Sequence, residues 1–108
     1  MIGTDLVYLP EFESKMKSSP LEKVFLDIEL SQNKSKESLA GIFAAKEAFF
    51  KAIGEKKDWL YVWIEKNPAG KPQLKSLLFK DNQKAELSIS HAGDYAIAVV
   101  LIEVRDEK

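Results

Sequence analysis

No cysteine occurs among the 108 residues of this chain, and histidine occurs once, as His91. The first absence excludes disulfides, thiolate metal sites and cysteine nucleophiles; the second excludes a multi-histidine metal site within one chain. Any metal held here must rely on carboxylates. Charge of one sign is lacking too: sixteen Lys and Arg stand against seventeen Asp and Glu, a net charge of −1. Bulk charge therefore gives no reason to expect nucleic acid or a membrane surface as partner. The opening "MIGTDLVYLPEF" lacks the basic, apolar and small-residue succession of a signal peptide, and no run reaches the roughly 18 uninterrupted apolar residues of a membrane helix. A soluble, cytoplasmic protein is the expectation.

What is present suffices for one core. An apolar content of 45% in a chain this short implies one domain. "IGTDLVYL", Ile2 to Leu9, reads as a strand that Pro10 ends by removing an amide donor. Ser19, Pro20 and Glu22 form the pattern of a capping box with Pro at the first helical position, which predicts a helix from about Pro20 to Leu30. A polar loop follows. From about Lys36 to Ile53, apolar residues recur at Leu39, Ile42, Phe43, Phe49, Phe50 and Ile53 with helical spacing, and Gly54 supplies the stop. Further strands are expected at "DWLYVWIEKN", "QLKSLLF", "ELSIS" and "YAIAVVLIEV", separated by the turns "NPAGKP" and "DNQK" and by Gly93. "RDEK" reads as a frayed tail. The fold class is α+β: a small antiparallel sheet packed with one long central helix and shorter helices. The strands at Trp59–Ile64 and Tyr95–Val104 are oily on both faces, so a subunit interface is expected to cover part of the sheet.

Charges interrupt the central helix. At about 100° per residue, Lys46 projects near the middle of the apolar arc, while Glu47 and Lys51 share a ledge at its edge as an i,i+4 pair. One reading has Lys46 snorkel to water and Glu47 and Lys51 form an ordinary surface pair. The other makes the carboxylate and ammonium groups hold a metal and the phosphates that it neutralises. The second reading needs another acid, and Asp5, alone in a short apolar strand, supplies one; Ser90 and His91 stand at the mouth of a hairpin.

Three segments, "GTDLV", "FAAKEAFFKAIG" and "SISHAGDYAIAVV", stand in an order and at separations that resemble the 4′-phosphopantetheinyl transferases, specifically the small bacterial holo-acyl carrier protein synthase type. Phe43, Lys46, Glu47, Ala48 and Lys51 match the family's central pattern, and "ESLAG", "GKP" and "SISH" agree in order. The resemblance covers nearly the whole chain. It implies transfer of the phosphopantetheine arm of coenzyme A to a serine of an apo acyl carrier protein, a step of fatty acid biosynthesis, with release of adenosine 3′,5′-bisphosphate. It also implies Mg²⁺ on Asp5 and Glu47, and Lys51 on coenzyme A phosphates. Gly70, Lys71 and Pro72 match a segment lining the nucleotide region, and Ser90 and His91 the segment that meets the coenzyme's end groups. Lys46 is left to meet a phosphate, an acid across an interface or water. The resemblance further implies a homotrimer with sites between subunits. Glu47, or a water on the metal, is the candidate base. Two of the family's usual arginines read Glu11 and Ile42 here, and the connection "EKKDW" is short. Loss of those basic groups keeps open an alternative: a non-catalytic homologue that binds coenzyme A or a carrier protein.

Overall fold

The computed structural model describes residues 1–105; the expected tail, Arg105 apart, lies outside the described residues. Strand β1 (Ile2–Tyr8) leads into helix α1 (Leu9–Ser18), and a 3₁₀ turn at Leu21–Lys23 precedes the short α2 (Asp27–Gln32). The long α3 (Lys36–Ile53) is followed by a 3₁₀ turn at Trp59–Tyr61, then β2 (Val62–Lys66), β3 (Pro72–Ser76), β4 (Gln83–Ala92) and β5 (Tyr95–Val104). A three-stranded antiparallel sheet in the order β1-β5-β4 lies beside a β2-β3 hairpin. This is the expected α+β architecture. Among the described residues, no helix is long and apolar enough to cross a membrane.

Helix α3 forms where its periodicity placed it. The Ser35 hydroxyl accepts the Ser38 N–H at its start, and Gly54 takes the left-handed conformation (φ 78°) at its end. Its alanines at positions 40, 44, 45, 48 and 52 are all buried, so the helix lies close on the inner face of the sheet. The closest approach is at Gly3 of β1. A Cβ there would overlap the Ala48 carbonyl oxygen and sit 2.7 Å from the Ala52 nitrogen. Gly3→Ala is therefore expected to push β1 off the helix and lower the unfolding free energy by about 1–3 kcal/mol, measurable by urea titration; an unchanged midpoint would contradict the packing.

Three local expectations are corrected. Pro10 ends the strand but also opens α1, because a helix's first turn has no use for the missing amide. Leu9, Phe12 and Met16 carry that helix against the core. The Ser19–Glu22 capping box does not form: Pro20 is extended, and burial of Val24 and Phe25 breaks the expected helix into a 3₁₀ turn and α2. The strand expected from Asp58 starts only at Val62, since the Asp58 carboxylate accepts the Leu60 N–H and holds a 3₁₀ turn.

Strand β5 alternates. Ala96, Ala98, Val100 and Ile102 are buried under α3, whereas Tyr95, Ile97, Val99 and Leu101 stand exposed on the outer face. Register sets Ile2, Leu6 and Tyr8 of β1 beside Leu101, Ile97 and Tyr95. The outer face is an apolar sheet surface open to its surroundings.

Candidate active site

Asp5 shares the inner face of β1 with Gly3 and Val7, because side chains alternate along a strand. It lies near the rim of α3, with 14% of its side chain exposed, and accepts a hydrogen bond from Lys51 Nζ at 2.9 Å. That bond, with Asp5's charge, raises the Lys51 pKa above the usual lysine value. Lys51 has thus turned from the expected i,i+4 partner Glu47 to the acid on the neighbouring strand. Glu47 is paired instead with Lys56, which donates to its Oε1 at 3.0 Å. Asp5 and Glu47 line one cleft of about 240 Å³ with Phe43, Tyr95, Glu11 and Lys15. Glu11 and Lys15, 3.7 Å apart, form an exposed pair at its rim.

Lys46 does not line this cleft, so of the partners left open to it the contact with a coenzyme phosphate is corrected. Its side chain is fully buried, and its ammonium donates to Glu29 Oε1 at 2.7 Å, the Val24 carbonyl at 2.6 Å and the Trp59 carbonyl at 3.1 Å. Burial pulls its pKa below the usual lysine value, while Glu29 and Asp58 oppose that shift. Glu29, equally buried, accepts the Leu26 N–H through Oε1 and the Ile64 N–H through Oε2, both at 2.9 Å. It caps α2 and anchors β2. One buried pair therefore ties α2, α3 and β2 together. Glu29 escaped the sequence reading, although a lysine on an oily helix face calls for a buried acid and Glu29 stands in a largely apolar stretch four residues after Phe25.

The remaining site residues occupy other places in the chain. Adjacent on β4, Ser90 and His91 point to opposite faces by strand alternation, and both are exposed. His91 Nε2 lies 2.8 Å from the Glu37 carbonyl, and a Cβ on Gly41 would come within 2.9 Å of that nitrogen. The missing side chain of Gly41 makes room for the imidazole beside α3. Lys71 and Pro72 line a groove of about 610 Å³ between β3 and β4, with Trp63 and Phe79. Gly70 serves the hairpin turn with φ 85°. Ile42, where the family usually has arginine, belongs to the core.

Could the cleft hold a metal? Among the described residues, no group of three or more His, Asp or Glu side chains is gathered for one. Two half-buried carboxylates without nitrogen or sulfur donors suit a hard cation that keeps waters and takes further oxygens from phosphate, as Mg²⁺ does. The donor set fits.

The family model of the 4′-phosphopantetheinyl transferase superfamily matches residues 1–100. A holo-[acyl-carrier-protein] synthase of Campylobacter fetus subsp. fetus is 41% identical over 114 aligned positions, covering 95% of this chain and 99% of that one. The structure of the Helicobacter pylori holo-[acyl-carrier-protein] synthase in complex with coenzyme A superposes with a TM-score of 0.84 at 32% identity, over 95% of this chain and 100% of that one. For the Bacillus anthracis synthase with coenzyme A (3′,5′-ADP), the TM-score is 0.81 at 30% identity, over 95% of each chain. The chain belongs to the 4′-phosphopantetheinyl transferase superfamily. Within it, the chain is an enzyme of the bacterial holo-[acyl-carrier-protein] synthase type.

Proposed function

We propose that this enzyme transfers the 4′-phosphopantetheine arm of coenzyme A to a serine hydroxyl of an apo acyl carrier protein and releases adenosine 3′,5′-bisphosphate, with Mg²⁺ held by Asp5 and Glu47. The observation that carries the reading is their meeting in one half-buried cleft, although they come from a strand and a helix far apart in the chain. The carrier serine oxygen attacks the phosphorus that bears the pantetheine, and the bond from that phosphorus to the leaving nucleotide breaks. Mg²⁺ bound there supplies charge stabilisation at the pyrophosphate. Lys51, next to Asp5, places a second positive charge where the leaving phosphate gains negative charge. Glu47 Oε2 makes no hydrogen bond among the described residues and takes the serine proton. The nucleophile belongs to the partner, so this chain needs no nucleophilic triad of its own.

The carrier docks beside α1, where Lys15 and Lys17 are the basic groups and Glu11 is a like charge to any acidic helix. The exposed apolar sheet face is the subunit interface of a homotrimer. In that assembly the Ser90–His91 strand end and the Gly70–Pro72 turn of one subunit complete the coenzyme site of the next. Within one chain Lys71 and Pro72 line a different groove from the Asp5–Glu47 cleft and His91 lines a different pocket, which supports this arrangement.

Incubation with coenzyme A, Mg²⁺ and an apo acyl carrier protein is expected to add the mass of one phosphopantetheine to the carrier. No mass increment on any acyl carrier protein tried would overturn the transferase reading. Sedimentation should give three times the chain mass, and a stable monomer at working concentration would remove the shared site.

A further inference from the structure

Each acid of the cleft carries its own lysine. Lys51 stands 2.9 Å from Asp5, and Lys56 stands 3.0 Å from Glu47. Lys56 lies on the connection after α3, with its ammonium 4.3 Å above the Trp59 ring. That indole is itself packed on Phe43 and Phe50, with ring centroids 4.9 and 5.6 Å away. The side chain is thus held at two points, by an aromatic face and by a carboxylate that lines the cleft.

Charge balance says what the second lysine does. With both pairs formed, the two acids and two lysines cancel. A divalent cation entering alone leaves two positive charges in excess, and a pyrophosphate diester entering alone leaves two negative ones. Together they restore neutrality, provided that the carboxylates pass to the cation and both ammonium groups pass to phosphate oxygens.

We propose that Lys56 is a further phosphate-binding residue of this site, kept on Glu47 until a divalent cation takes that carboxylate. The proposal rests on the assignment of Asp5 and Glu47 as the metal acids. It makes cation and coenzyme bind as a coupled pair.

Calorimetric titration without carrier tests it, with MgCl₂ alone, with coenzyme A in EDTA and with coenzyme A in saturating Mg²⁺. Coenzyme A is expected to bind at least about tenfold more tightly with Mg²⁺. Lys56→Met should bind Mg²⁺ alone about two- to fivefold more tightly and coenzyme A in Mg²⁺ about two- to fivefold more weakly, the range that an exposed ion pair spans. A second readout uses Trp63→Phe, which leaves Trp59 as the only indole. Mg²⁺ with coenzyme A should then shift the emission as the ammonium leaves the ring, and should shift it less when Lys56→Met is added. Unchanged affinities in Lys56→Met overturn the proposal. Glu47→Gln separates the two levels of inference: if it leaves Mg²⁺ affinity unaltered, the metal reading has failed and the role of Lys56 falls with it.

Discussion

Glu47→Ala and Asp5→Ala are each expected to reduce carrier modification by at least about 10²-fold, the scale of losing one preorganised charge-stabilising group. Each removes one of the two mostly buried carboxylates of the cleft; the third acid that lines it, Glu11, is exposed and paired with Lys15, and among the described residues no group of three acids is gathered to compensate. The stability cost should be small. Among the described residues, the side chains of Glu47 and Asp5 bond only to Lys56 and Lys51, whose side chains are more than half exposed, so each pair contributes about 0–1 kcal/mol. Loss of transfer should therefore accompany a nearly unchanged thermal midpoint. Asp5→Asn, which keeps the shape and one acceptor oxygen, gives a folded comparison should the alanine disturb β1. Mass spectrometry of the carrier provides the measurement, and full activity in both alanine variants would remove the metal assignment.

Lys46→Met is expected to lower the unfolding free energy by about 3–5 kcal/mol, because it leaves the fully buried Glu29 carboxylate without its counter-ion. The Val24 and Trp59 carbonyls lose a donor at the same time. Adding Glu29→Gln should recover part of the loss, since a neutral amide needs no counter-ion and its oxygen still accepts one of the two N–H groups, Leu26 or Ile64. Recovery will not be complete, because the second N–H is then unpaired. Denaturant titrations at one protein concentration test both variants, as an oligomer's stability depends on concentration. A Lys46→Met chain as stable as the double variant would show that the pair carries no such penalty.

Periodicity made α3 legible, along with the oily two-sided β5, because 3.6-residue and 2-residue repeats survive in the sequence whatever packs on them. The segment between β1 and α3 was less legible. There Pro10 signals both a strand end and a helix start, and the burial of Val24 and Phe25 outweighs a local capping pattern. In the site, local rules pair Glu47 with Lys51 across one helical turn. The structure gives Lys51 to Asp5 and Glu47 to Lys56, since β1 and the loop after α3 bring other charges as close. No sequence rule anticipates which partner wins. Lys46 shows the same limit: its oddity on an oily face was plain, but its acid sits on another helix.

Among the described residues, strand β1 finds its only hydrogen-bonded neighbour strand in β5, and the Met1 amino group bonds to the Ile102 carbonyl, 101 residues onward. On the ribosome, β1 emerges long before that neighbour exists; at about 5–20 residues per second the wait is roughly 5–20 s. Helix α3 and the β4–β5 hairpin are local structures and can form on their own, whereas β1 must close the longest loop in the chain. Asp5 is therefore fixed in register beside α3 only once β5 has paired with β1. A truncated or stalled chain that lacks β5 would lack the strand that holds Asp5 in register, so capture of the proposed metal would report that synthesis has reached β5.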